Sequence, residues 1–168
     1  MDLQDDLVRL TPTVTADAGA LRAIRRMPEV ARHWDEVEDD FPIDDEPEAT
    51  RYTIRHDGEI VGMVQYSEEL EPKYRSAAID IFVSAAHHGR GIGSAAVRLV
   101  VRHLFEDRGH HRITIDPAAD NQAAIGAYTK AGFTPVGIMR LAERDADGRG
   151  WHDALMMELV RDPGRPPD

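Results

Sequence analysis

Three glycines at alternate positions, Gly89, Gly91 and Gly93, separate an alternating apolar run that ends at Val83 from a long helical pattern. The stretch His87-His88-Gly89-Arg90-Gly91-Ile92-Gly93-Ser94 therefore places a tight turn between a strand and a helix. The first N–H groups of a helix have no internal partners, and the helix dipole adds partial positive charge there. Without side chains at the glycines, these groups can close around an anion, and a phosphate is the natural guest. Taken alone, the same residues also fit an ordinary glycine turn with Arg90 merely solvated.

The flanking patterns point to an α/β (α+β) chain. Ala77 to Val83 reads as a strand with Ile79, Ile81 and Val83 on one face and Asp80 on the other. The helix from Gly91 carries Ile92, Ala96, Leu99 and His103 or Leu104 on one stripe, and Arg108-Gly109 stops it. Upstream, Val8 to Thr11 reads as a short strand and Thr15 as the N-cap of a helix that runs to about Arg26. Pro28 opens a second helix that continues to Trp34. Arg51 to Arg55 and Ile60 to Tyr66 flank Asp57-Gly58, a strong hairpin signal, and Glu68, Glu69, Glu71 and Pro72 interrupt the second strand. Downstream, His111 to Ile115 forms a strand that Asp116-Pro117 ends, because the residue before proline is pushed to extended geometry. Asp120 or Asn121 caps a helix bearing Ala124, Ile125, Tyr128 and Ala131, which Gly132 stops. A last hairpin joins Val136–Glu143 to Trp151–Leu159, and the Pro-rich stretch 161–168 reads as a flexible tail.

A chain of 168 residues fits a single domain, with its core at about residues 7–160. The absence of Cys excludes disulfides, thiolate metal ligands and an acyl-thiol enzyme intermediate. Adjacent His residues, as at His87-His88 and His110-His111, point apart, and no metal-ligand spacing occurs, so no metal is expected. No apolar run approaches the roughly 18 residues of a membrane span, and the expectation is a soluble, cytoplasmic protein with no membrane contact. The net charge is −11, and nine of the fourteen residues from Asp35 to Glu48 are acidic. Such a chain repels nucleic acid. The run reads either as a solvated loop or as a wall that steers cations, and Trp34 at its mouth either as a core anchor or as a ring on which a substrate stacks.

The glycine loop is followed by Asn121-x-x-Ala124-Ile125-x-x-Tyr128-x-x-x-Gly132-Phe133, and together the two segments resemble the GNAT superfamily of acetyl-coenzyme A dependent N-acetyltransferases. That family's phosphate loop, Gln/Arg-x-x-Gly-x-Gly/Ala, falls on His88, Gly91 and Gly93. The first position departs from the pattern, but backbone N–H groups hold the phosphate. Within the superfamily, Ile115-Asp116-Pro117 through Asn121, Ala124 and Ile125 is similar to a segment of aminoglycoside 6'-N-acetyltransferases, which also carry an Ile-Asp like Ile79-Asp80 before the loop. Gly150-Trp151-His152-Asp153-x-Leu155 is shared with relatives that modify protein N-termini or small amines.

The resemblance implies a central, mixed, mostly antiparallel twisted sheet with a splayed parallel strand pair and about four flanking helices. It implies acetyl-coenzyme A as co-substrate, held by Val83, His88, Gly89, Arg90, Gly91, Ile92, Gly93, Ser94, Asn121 and Tyr128. The thioester then lies where a strand N–H polarises its carbonyl and an amine attacks without a covalent enzyme intermediate. Asp116, Tyr128 and Asp80 become the catalytic residues, with Tyr128 giving a proton to the departing thiolate. Trp34, Asp35, Asp80, Asp116 and Asp153 become acceptor contacts for a small cationic, aminoglycoside-like amine, in a monomer or homodimer. A peptide N-terminus and a non-catalytic acyl-coenzyme A binding module are the rival readings. From the residues alone, Asp116 equally serves as a cap for the next helix, Asp80 as half of an ion pair, Tyr128 as a packed tyrosine, and His152 and Asp153 as a plain hairpin face.

Overall fold

The computed structural model describes residues 1–43 and 48–164. Asp44, Asp45 and Glu46 of the acidic run and residues 165–168 of the expected tail lie outside the described residues. In chain order the elements are β1 (Leu3–Gln4), β2 (Arg9–Pro12), α1 (Ala18–Arg25), α2 (Pro28–Ala31), β3 (Thr50–His56), β4 (Glu59–Glu69), β5 (Ser76–Val83), α3 (Ile92–Glu106), β6 (Arg112–Ile115), α4 (Gln122–Lys130), β7 (Thr134–Arg144) and β8 (Trp151–Val160). They build an eight-stranded sheet in the order β1-β2-β3-β4-β5-β6-β8-β7. Every neighbouring pair is antiparallel except β5 with β6. The expected mixed sheet with one parallel pair is the observed one.

The hairpin of β3 and β4 turns at Asp57-Gly58, where φ is 48° and 82°. Two successive positive φ values match the right-handed twist of the flanking strands, and the short Asp side chain tolerates the first of them. This hairpin sets the register of half the sheet. Strand β4 extends to Glu69, past the expected interruption, because Ser67, Glu68 and Glu69 pair with Ala78, Ala77 and Ser76 of β5. Ladder hydrogen bonds outweigh the low strand preference of Glu.

Each face of the sheet is covered. Leu99, Val100 and Leu104 of α3, Tyr128 of α4 and Ala131 at its C-cap join Ile79, Ile81 and Ile113 of the sheet in one core. Leu21 and Ile24 of α1 and Val30 of α2 pack with Met63, Phe82 and Phe41 in a second. A fully buried side chain such as Leu104 contributes about 1.5–3 kcal/mol by removal from water. Among the described residues, no helix is long and apolar enough to cross a membrane.

Two helix boundaries differ from expectation. Thr15 does not cap α1; it opens a short 3-10 turn, Thr15–Asp17, that leads into the helix. The buried Asp17 carboxylate takes the Val14 N–H, the Thr53 hydroxyl and the Arg55 guanidinium instead. Helix α2 begins with Pro28 as expected but ends at Ala31, short of Trp34. At that point the chain turns so that Trp34 can pack edge-on against Phe82, with ring centroids 5.1 Å apart.

Gly62 on β4 lies where the sheet leaves no room. A Cβ there collides with the Phe82 carbonyl oxygen and meets the Val83 Cα at 3.0 Å. Both contacts are backbone, which cannot rotate away. We expect Gly62→Ala to cost about 1–3 kcal/mol of stability by overpacking, read as a lower urea midpoint at unchanged slope; a wild-type midpoint contradicts the close approach.

Candidate active site

Strands β5 and β6 pair at Ala77 with Ile113 and Ala78 with Thr114, and at no further position among the described residues. Beyond that point β5 stays bonded to β4 as far as Val83, while β6 ends at Ile115. The two strands part, and a wedge opens between Asp80–Val83 and Asp116. Of the cavities that open beside it, two join at Tyr128.

The first is a groove of about 470 Å³ that passes the N-terminal end of α3 and runs along α4. Val83, His88, Gly89, Gly91, Ile92, Gly93 and Ser94 line one side of it, and Asn121 to Ala124 with Tyr128 the other. Gly89 and Gly91 have φ of 75° and 79°, the left-handed region that glycine enters without a Cβ penalty. Gly91 is the N-cap of the 15-residue α3, so the free N–H groups of the first turn open beside the groove. The His88 ring lies 2.7 Å from the Val83 carbonyl. A carbonyl only accepts, so Nε2 carries the hydrogen, and the imidazole braces the turn. Arg90 is exposed and is not among the residues that line the groove. The Ser94 hydroxyl accepts from Arg98 at 3.0 Å.

The second cavity is an acidic cleft of about 510 Å³ lined by Asp35, Glu38, Asp40, Asp80, Asp116 and Glu143, with Arg25 and Arg51 as its cations. Arg25 is almost fully buried and fixes the acidic stretch from behind. It bonds Glu38 at 3.2 Å and the Asp35 carbonyl at 2.7 Å, and its guanidinium faces the rings of Trp34 and Phe41 at 5.1 and 4.6 Å. Part of the acidic run is thus a wall of the cleft, whereas Glu36 and Asp39 do not line it. Trp34 packs on Phe82 as a core anchor and also lines both cavities. Tyr128 also lines both and is the buried residue at their junction.

Asp80 and Asp116 are exposed by accessible surface, yet both sit in a concavity, where protein replaces water on most sides. Exposure to a probe and full hydration are different quantities here. Desolvation, reinforced by the negative charge of Asp116, raises the Asp80 carboxyl from its ordinary range to about 7. A hydrogen bond from the Ile81 N–H, 3.0 Å long, limits the rise. Asp116 is raised as well, by desolvation and then by Glu143. Desolvation, followed by the charges of Asp80 and Asp116, lifts the Tyr128 phenol above its usual range.

Asp116 is not a helix cap, since the Asn121 side chain accepts the Ala124 N–H at 3.2 Å and caps α4. Among the described residues, Asp80 forms no ion pair; its carboxylate accepts from the Ile81 N–H. Asp153 is not among the residues that line the cleft, because its Oδ1 accepts the Leu141 N–H at 2.8 Å on the neighbouring strand. Glu143 does line the cleft, and the sequence pattern missed it. Its place depends on a bulge between Met139 and Glu143, where β7 spends three residues opposite the single Asp153 of β8. Among the described residues, no three His, Cys, Asp or Glu side chains are grouped to hold a metal ion.

The profile of the acetyltransferase (GNAT) family matches residues 19–133. Aminoglycoside N(6')-acetyltransferase type 1 of Klebsiella pneumoniae is 33% identical over 102 residues, covering 54% of this chain and 50% of that protein. Spermidine N(1)-acetyltransferase of Escherichia coli (strain K12) is 26% identical over 140 residues, covering 77% of this chain and 74% of that protein. The chain spans about half the length of several curated relatives it matches, the Klebsiella enzyme among them. The crystal structure of ribosomal-protein-S5-alanine acetyltransferase from Vibrio fischeri superposes with a TM-score of 0.83 over 99% of this chain and 100% of that one, at 15% identity, a likeness of fold.

A carboxyl whose pKa is higher folded than unfolded binds its proton more tightly in the native state. Its stabilising contribution is complete below the unfolded value of about 3.9 and is lost as pH rises through the folded value. We therefore expect Asp80→Asn to melt like the wild type near pH 4 and above it at pH 8, the gain developing up to about pH 7. A melting difference that does not vary with pH contradicts the raised carboxyl.

Proposed function

The chain belongs to the acetyltransferase (GNAT) family, and we propose that it transfers the acetyl group of acetyl-coenzyme A directly to a primary amine of a small cationic, aminoglycoside-like acceptor. One observation carries the reading: a groove that starts at free helix N–H groups and a cleft walled by carboxylates meet at Tyr128. Anionic donor and cationic acceptor each have a side, and the reacting atoms meet where the strands part. Relatives named for aminoglycoside and spermidine acetylation support a polycation as acceptor. Six carboxylates against two guanidinium groups in the cleft favour it over a neutral peptide segment.

Acetyl-coenzyme A, when bound, supplies an electrophilic thioester carbonyl. The first N–H groups of α3, from Ile92 to Ser94, bind its pyrophosphate, as helix N-termini do with phosphates. Asp116 holds the reacting amine as an ammonium, and Glu143 lines the cleft beside it. An alkyl ammonium has a pKa of about 10.4, and it must lose a proton before it attacks. Asp80, raised to about 7, is a far better proton acceptor than an ordinary carboxylate near 3.9, and it works directly or through one water. Nitrogen then bonds to the carbonyl carbon, the carbon–sulfur bond breaks, and the nitrogen sheds its second proton, which replaces the one that Tyr128 gives up. Tyr128, kept protonated by its surroundings, gives its phenolic proton to the leaving thiolate. The chain contains no Cys, so no step passes through an acyl-thiol on the enzyme.

Thiol release from acetyl-coenzyme A, measured across aminoglycosides, polyamines and short peptides, tests this function. Release is expected with the polycations, and its absence with every amine overturns the proposal. Tyr128→Phe should leave cofactor affinity intact and lower turnover by roughly 10² to 10⁴-fold; wild-type turnover removes the phenol from the reaction. Gly93→Val should weaken acetyl-coenzyme A binding, measured by titration of the folded variant. A Cβ at this position meets only Val83 Cγ2, at 3.7 Å, so an unchanged dissociation constant points away from this loop rather than to misfolding.

A further inference from the structure

The residues that aim Glu143 are themselves tied to the loop that carries Asp116. On β8, the Asp153 carbonyl accepts the Ala119 N–H at 2.9 Å, and the Leu155 N–H donates to the Pro117 carbonyl at 2.9 Å. One edge of β8 is therefore fastened to the segment that follows Asp116. On its other edge, the Asp153 carboxylate takes the N–H of Leu141, a non-glycine residue at φ 48°. A leucine in the left-handed region is strained and persists only where its surroundings fix it. Register confirms the geometry: Met139 pairs with Ala154 and Glu143 pairs with His152, so the whole excess of β7 lies opposite Asp153. Past the bulge, His152 bridges Asp145 at 2.9 Å and Glu143 at 3.2 Å, one ring nitrogen to each carboxylate.

We propose that Asp153 is a positioning residue of the acceptor cleft: by capping the bulge of β7 it holds Glu143 across from Asp80 and Asp116, and Glu143 in that place selects acceptors that carry a second cationic group beside the reacting amine. The inference rests on the acceptor-side reading of the acidic cleft. Asp80 takes up the proton of the reacting amine and so spends part of its cycle neutral. Glu143 and Asp116 then remain to bind charge, and two anions set apart match two cations better than one. His152 faces Asp145 and Glu143, His33 after α2 faces both His152 and Glu143, and Asp80 and Asp116 face Glu143 across the cleft. Burial by itself would depress His152, but the hydrogen bonds it donates to Asp145 and Glu143 overcome it and hold the imidazole above its ordinary pKa. An imidazolium can donate to both carboxylates at once, and it braces Glu143 most firmly below that pKa.

The test is calorimetric titration at low ionic strength with two probes, spermidine and propylamine, against the wild type, Glu143→Gln, Asp153→Ala and Asp153→Asn. Spermidine should bind the wild type more tightly than propylamine. Glu143→Gln and Asp153→Ala should each weaken spermidine by about fivefold while propylamine changes by less than about twofold. Asp153→Asn keeps an oxygen that accepts the Leu141 N–H, so its spermidine affinity should stay within about twofold of the wild type. Equal spermidine affinity in the wild type and Glu143→Gln overturns the selectivity, as does failure of the wild type to prefer spermidine. Asparagine as poor as alanine at position 153 overturns the capping role. Should Asp153→Ala fail to fold, the Gln and Asn variants still decide. Thiol release is followed on the same samples: its absence with the binding pattern intact removes the transferase reading alone.

Discussion

The molecule depends on a parallel pairing that is given up after two residues. A parallel ladder between β5 and β6 would continue to the ends of both strands if backbone hydrogen bonding alone decided. Here β5 remains bonded to β4 as far as Val83, while β6 turns away at Asp116-Pro117. Proline supplies the local reason, since the residue before it cannot enter helix and the chain leaves the sheet extended. The cost is a row of backbone groups on β5 with no strand beside them. The return is a gap through the middle of a sheet, reachable from both sides.

That gap explains how opposite chemistries come within one bond of each other. A helix N-terminus and a carboxylate cluster in contact would neutralise each other if they shared one cavity. They occupy two, and Tyr128, Ile81 and Trp34 stand between. The raised Asp80 and Tyr128 follow from the same arrangement. Protein crowds the floor of the wedge, and like charges from Asp80 on β5, Asp116 after β6 and Glu143 on β7 converge on it. Arg25, packed under the acidic stretch, keeps those charges from driving the wall apart.

Local chemistry was legible in the sequence and distant chemistry was not. Asp57-Gly58 announced its hairpin because a two-residue turn is decided by the φ values its own residues allow. Gly91 and Gly93 announced the helix start for the same reason, and Asp116-Pro117 announced a strand end. Asp80 was readable as facing away from Ile79 and Ile81 because strand period is fixed at two. Glu143 was not, since its direction is set by an irregularity in β7 that Asp153, ten residues further on, stabilises. Asp153 was taken for an acceptor contact on the strength of its strand alone. Thr15 looked like a cap, but a short 3-10 turn leads into α1, and its Asp17 carboxylate is drawn to Thr53 and Arg55 of β3. Helix α2 stopped early because Trp34 and Phe82 pack better than another helical turn would allow. Each miss was a contact between elements far apart in the chain, winning over a local preference.

Strand β7 lies at the end of the sheet order, bonded to β8 alone, and ten of its eleven residues are exposed. The side chain it lends to the cleft is therefore hung from a part of the protein in which little else is invested. Substitutions there disturb neither hydrophobic core, and their energetic effects should add independently to those of changes around the glycine loop. A lineage built on this fold can recast one rim of the acidic cleft while the half around the glycine loop is inherited intact.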